Sequence, residues 1–174
     1  RRLLVVAGHK EPDGDCVASQ LAVAGLAERL GTPTLLLSAG PFDRPEIADF
    51  AGRFSASAGD ADLGPGAAAI IVDCSTLERT GVLVSLLALL PCLVIDHHSS
   101  GEDFGTLRYT DSSAASTSLL VLSVYEALAV APSREQARLL LFGLCTDTGF
   151  FRHLSHGSAD TFRAIARLAE LGTT

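Results

Sequence analysis

The stretch Val94-Ile95-Asp96-His97-His98-Ser99-Ser100 constrains this chain more than any other, because it closes an apolar run with a carboxylate and two adjacent imidazoles. Burying those groups as packing costs desolvation, and in an extended backbone the two imidazoles point to opposite faces. A strand over residues 92–95 that delivers them to its C-terminal end resolves the conflict, since ligands of open α/β sheets bind at that edge. The rest of the chain is then expected to scaffold or complete the edge.

Three other segments repeat the pattern. Residues 3–7 are apolar and end at Gly8; His9-Lys10-Glu11-Pro12-Asp13-Gly14-Asp15 follows, and then a helical pattern over residues 16–30. Pro12 is expected to keep Glu11 extended, Gly14 to permit a tight turn, and Asp15 to cap the helix, which stops at Gly31. Capping explains one carboxylate and leaves His9, Asp13 and Asp15 together unexplained. Residues 67–72 read as a buried strand ending at Asp73, with a helix expected over residues 77–90. Pro91 separates that helix from the strand over 92–95, so the spacing is that of a βαβ crossover and sets Asp73 and Asp96 on the same edge. A helix over residues 134–145, capped by Ser133, delivers the acid of the fourth segment, Asp147, where an apolar segment is interrupted.

The intervening pattern gives a strand over 34–37, a short helix over 46–50, a loop over 55–66, an edge strand over 106–110, a helix over 114–129 capped by Ser112 or Ser113, and a last helix over 158–171. The chain is 48% hydrophobic but only 6% aromatic, so its core is aliphatic and suits a parallel sheet buried on both faces. The expected class is α/β, a three-layer parallel-sheet domain with helices on both faces and a helical C-terminal part. A net charge of −7 argues against a sequence-independent grip on duplex nucleic acid. The nearest approach to a membrane span, residues 82–94, is short and broken by Pro91. Cys16, Cys74, Cys92 and Cys145 lack the paired spacing of structural zinc sites and read as small buried hydrophobes in a reducing cytoplasm, where the protein is expected.

Gathered at one edge, these carboxylates would repel one another unless compensated. Divalent cations supply the compensation, and oxygen-rich ligands with one or two imidazoles suit Mn²⁺ or Mg²⁺. Two such ions about 3.5–4 Å apart, sharing a carboxylate, activate water for phosphoryl transfer.

The ordered motifs, residues 9–15, Val72-Asp73-Cys74, Asp96-His97-His98 and residues 143–152, resemble the DHH phosphoesterase family. Within it the chain is most similar to the NrnA-type oligoribonuclease/pAp phosphatases, relatives of the RecJ exonucleases and of cyclic-dinucleotide phosphodiesterases. Family II inorganic pyrophosphatases share the Asp-His-His logic, but the Gly14 loop and Thr146-Asp147-Thr148 fit the nuclease/phosphatase branch better. The resemblance implies that His9 and Asp13 hold one cation, that Asp15, His97 and Asp147 hold a second, and that Asp73 bridges them, with Mn²⁺ the expected ion. It implies that Asp96 stands behind the ligands, orienting a histidine or a water, and that His98 faces the phosphate as donor or general acid. Arg152 is a candidate phosphate contact; capping or packing accounts for Thr148, Ser116 and His153.

The activity so implied is hydrolysis of short oligoribonucleotides or of 3′-phosphoadenosine 5′-phosphate. Cleavage of cyclic dinucleotides and a non-catalytic nucleotide-binding role are the alternatives. The expected partner is a small nucleotide or short single-stranded RNA, with a homodimer left open. Family members normally add a C-terminal domain with a glycine-rich motif. No such motif follows Leu171 and the sequence contains no Met, so residues 1–174 are expected to be the catalytic domain of a longer polypeptide.

Overall fold

Short aliphatic strands whose side chains alternate between two buried faces build the centre of the molecule. The computed structural model describes residues 2–154 and 158–172. Among them, β1 (Leu4–Ala7), β2 (Thr34–Leu37), β3 (Ala68–Val72), β4 (Cys92–Asp96) and β5 (Leu107–Thr110) pair in parallel in the order β2-β1-β3-β4-β5. The α-helices are α1 (Gly14–Arg29), α2 (Val84–Leu87), α3 (Thr117–Ala127), α4 (Arg134–Asp147) and α5 (Ala159–Glu170). On one face Val6, Val72 and Ile95 pack beneath α1, α3, α4 and α5. On the other, Val5, Ala7, Leu37, Ala69 and Ile71 meet Leu83 and Leu87. The α/β class with both faces covered is as the sequence pattern implies, but the second face carries only short helical turns.

The helix expected over 77–90 is one of the departures. A 3-10 helix, Leu77–Leu83, gives way to the single turn of α2, because Gly81 takes φ 67° and ψ −128° and breaks the α ladder. A Cβ at Gly81 would lie 3.1 Å from Ala39 Cβ and 3.3 Å from Lys10 Cβ, so the glycine also lets this segment approach the loop after β1. The helix expected over 46–50 is a 3-10 helix, Ala48–Arg53. Ser116, not Ser112 or Ser113, caps α3, accepting the Leu119 N–H; the Ser113 hydroxyl is committed to Asp111. Glu11 is not extended as Pro12 would favour: its φ is 53°, in a loop held by Lys10 N–H to Arg79 O and Glu11 N–H to Gly40 O.

The topology decides where a ligand can sit. From β1 the chain crosses to β2 on one side and returns to β3 on the other, so the carboxyl ends of β1 and β3 flank a topological switch point. The acid- and histidine-bearing loops after these strands open there.

α1 is buried along most of its length because it lies between the sheet and α4, and small residues set the approach. At Gly143 of α4 a Cβ would meet Ser118 Oγ and would lie 2.9 Å from both Ala18 Cβ and Asp15 Oδ1. Gly143→Ala is therefore expected to destabilise the fold by about 1–3 kcal/mol, through overpacking at a three-helix contact. Chemical denaturation measures this, and an unchanged midpoint would show that the helices part freely.

Candidate metal centre

Five stretches of chain converge at the carboxyl edge: the loop after β1, the start of α1, the residue after β3, the end of β4 and the end of α4. His9 Nε2 lies 3.5 Å from Asp73 Oδ2 and 3.8 Å from Asp13 Oδ1. His97 Nε2 lies 3.7 Å from Asp73 Oδ1 and 3.6 Å from Asp147 Oδ2. Asp73 thus presents one carboxylate oxygen to each histidine. Its φ of 54° is a conformation Asp tolerates better than most residues, and Thr117 Oγ1 donates to its Oδ1 at 3.0 Å.

Asp15 is not the cap of α1. Asp13 caps that helix, its Oδ1 accepting the Cys16 N–H at 3.0 Å. Asp15, in the first turn and 1% exposed, instead accepts Thr117 N–H at 2.7 Å and Ser118 N–H at 2.9 Å. The N-terminus of α3 therefore orients it, as helix termini do with anions.

The electrostatics are those of an uncompensated acid cluster. Burial, and after it the Asp73 charge, push the Asp15 carboxyl well above the usual range. Asp147 is raised too, first by burial, with Asp73 and Asp13 adding to it against the pull of His97. Burial disfavours the charged form of His9, yet bonds to Asp13 and Asp73 raise its pKa. Burial likewise works against the Asp13 carboxylate, but His9 brings its pKa down to about 2. Among the described residues, the only Lys or Arg within ion-pair distance of these acids is Arg44, 3.9 Å from Asp13.

This donor set fits divalent cations. Asp15, His97 and Asp147 each offer a ligand atom within 4.8 Å of the others; so do Asp73, His97 and His98, and so do His9, Cys16 and Asp73. Buried carboxylates without a cationic partner are costly until an ion pairs with them, and oxygen donors with imidazole suit a hard dication. Asp13 joins the set through His9.

His98 Nδ1 lies 2.6 Å from Asp96 Oδ1 and 3.8 Å from Asp73 Oδ1. The Asp96 bond raises the His98 pKa against burial, and Asp96 is lowered in turn although its own burial opposes this. Asp96 therefore orients His98 rather than His97.

Two cavities border the set. One of about 720 Å³ runs from His97 and Asp147 past Thr148, His153, Tyr109 and Ser123. Another of about 340 Å³ is lined by His9, Asp13, Lys10, Arg44 and Arg79. Arg152 is exposed and lines neither; the cations beside the ligands are Lys10, from the motif over residues 9–15, and Arg44 and Arg79, from segments with no sequence signal. Thr148 donates to Leu144 O at 2.6 Å and Ser116 caps α3, as capping predicts for both. Thr117 and Ser118 were also missed: Ser116-Thr117-Ser118 reads as a helix start, and nothing local ties it to Asp15 or Asp73.

A model of the DHH family, N-terminal domain, matches residues 3–144. "Bifunctional oligoribonuclease and PAP phosphatase NrnA" of Thermus thermophilus is 29% identical over 171 residues, covering 97% of this chain and 50% of that protein. A Clostridium acetobutylicum protein named "Probable manganese-dependent inorganic pyrophosphatase" is 27% identical over 176 residues, covering 97% of this chain and 56% of that one. The crystal structure of an exopolyphosphatase-related protein from Bacteroides fragilis superposes with a TM-score of 0.80 at 23% identity, covering 98% of this chain and 53% of the other. The chain spans about half the length of the curated relatives it matches. Among the described residues no helix is long and apolar enough to cross a membrane.

Proposed function

The chain belongs to the DHH family, and on that premise we propose that it is the catalytic domain of a metal-dependent phosphoesterase acting on short oligoribonucleotides or 3′-phosphoadenosine 5′-phosphate. One observation carries the reading: Asp15, Asp73 and Asp147 meet His9 and His97 at the switch point of a parallel sheet, with no Lys or Arg within ion-pair distance of those three acids among the described residues. In this proposal His9 and Asp13 hold one cation, Asp15, His97 and Asp147 hold another, and Asp73 is shared. Mn²⁺ or Mg²⁺ held by these residues would supply an activated water and offset the phosphate charge.

The remaining chemistry falls to the chain's own groups. His98, whose pKa the bond to Asp96 raises, donates to the leaving oxygen as general acid. Lys10, Arg44 and Arg79 offer phosphate contacts from the smaller cavity, in place of Arg152, which does not line it. The larger cavity has the size of a nucleotide site and offers ring, hydroxyl and imidazole groups to a nucleoside, through Tyr109, Ser123 and His153.

The test is release of mononucleotide or inorganic phosphate from linear dinucleotides and 3′-phosphoadenosine 5′-phosphate, assayed with added Mn²⁺ and after chelation. Metal-dependent turnover of either substrate is expected. Turnover confined to cyclic dinucleotides or pyrophosphate would overturn the substrate assignment, and turnover that survives chelation would overturn the mechanism.

A further inference from the structure

The donor grouping nearest β1 contains a group that an oxygen-and-imidazole cation site does not need. Cys16 Sγ, His9 and Asp73 offer ligand atoms within 4.8 Å of one another, and their residues are 0%, 5% and 3% exposed. They come from three separate elements: the first turn of α1, the loop after β1 and the residue after β3. The sulfur is given room, because a Cβ at Gly8 would collide with it. Its other partner, Gln20 Oε1, is 3.6 Å away, and the Gln20 amide nitrogen is committed to Val6 O and Leu37 O. Cys74, by contrast, donates to the Thr76 carbonyl, and neither it nor Cys92 nor Cys145 belongs to a donor grouping among the described residues.

We propose that Cys16 is a third donor of the His9–Asp73 pocket, and that this pocket takes thiophilic dications of the Zn²⁺ and Cd²⁺ class in competition with Mn²⁺ or Mg²⁺. The proposal rests on the reading of His9 and Asp73 as cation ligands and adds to it the selectivity of one pocket. Thiolate sulfur selects softer ions, whereas hard Mg²⁺ and Mn²⁺ take oxygen. Ligands of a tetrahedral zinc stand about 3–4 Å apart, so the three side chains need only a small closure. Asp13, 27% exposed, supplies the alternative oxygen donor beside His9, so the pocket offers a sulfur-bearing or an oxygen-bearing set. Binding is a proton exchange with no redox step: the S–cation bond forms as the S–H bond breaks, and the proton passes to solvent.

The experiment titrates the protein with Cd²⁺, reading the sulfur-to-cadmium ultraviolet charge-transfer band and the ¹¹³Cd resonance, while electron paramagnetic resonance follows Mn²⁺ in parallel. The expected result is one charge-transfer band, lost in Cys16→Ser and kept in Cys74→Ser and Cys145→Ser, with Zn²⁺ displacing Mn²⁺ less readily from Cys16→Ser. Should Cys16→Ser fail to fold, the ¹¹³Cd resonance of the unaltered protein decides alone, because a thiolate ligand shifts it far from the oxygen-and-nitrogen range. A band that survives Cys16→Ser, or Cd²⁺ bound in an oxygen-and-nitrogen environment while Mn²⁺ also binds, overturns the role of Cys16 and leaves the proposed function standing. If neither Cd²⁺ nor Mn²⁺ binds, the metal reading of the site fails and this inference fails with it.

Discussion

Asp73→Asn is expected to abolish cation-dependent stabilisation and hydrolysis while leaving the fold intact. Asn has the shape of Asp and also tolerates the left-handed backbone at φ 54°, and its side-chain oxygen can still accept from Thr117 Oγ1. What it removes is the charge that faces His9 through one oxygen and His97 through the other. In the unaltered protein a cation at 100 times its Kd adds about 2.7 kcal/mol of stability by linkage. For a chain of 174 residues that is about 5–10 °C in Tm. Thermal unfolding with and without Mn²⁺ reads the difference: a clear rise for the unaltered protein and none for the variant. A variant that kept both the rise and its turnover would remove Asp73 from the centre of the scheme.

His97→Ala and His98→Ala are expected to fail in different ways. His97 shares donor groupings with both Asp73 and the Asp15–Asp147 pair, so its loss should lower Mn²⁺ affinity by more than the roughly 10–100-fold that removing an outer partner costs. His98 has Nδ1 engaged by Asp96, and its loss should spare Mn²⁺ binding while lowering kcat by about 10²–10⁴-fold, the range of a general acid. The 3.8 Å approach of His98 to Asp73 makes the comparison decisive, because it brings His98 within reach of the same ions. Measuring Mn²⁺ affinity and kcat on both variants separates the roles. If His98→Ala lost the metal while His97→Ala kept it, the assignment would be reversed.

The parallel sheet was legible because a strand buried on both faces shows a continuous aliphatic run, and residues 68–72 and 92–95 are such runs. The helix expected over 77–90 was misread because hydrophobic content alone does not reveal that Gly81 takes a positive φ to let its segment pack against Ala39 and Lys10. The cap of α1 was misassigned because Asp13 and Asp15 are both good caps by type, and only the burial of Asp15 beneath α3 chooses between them.

The amino-acid sequence by itself determined the donor inventory and its placement. His9, Asp73 and Asp96-His97-His98 come at or just after the end of an apolar strand, Asp13 and Asp15 stand where the loop after the first strand enters its helix, and parallel strands end on one edge. Only the tertiary structure decided how those donors are shared. Asp15 is held by the amide of Thr117, 102 residues away, Asp96 holds His98, and Cys16, which reads as a small buried hydrophobe, turns into the cluster from the first turn of α1. The physical reason is that capping and alternation act over a few residues, whereas the separation of two donor atoms depends on how closely α1, α3 and α4 pack. Gly143 sets that packing at their contact, through the side chain it lacks.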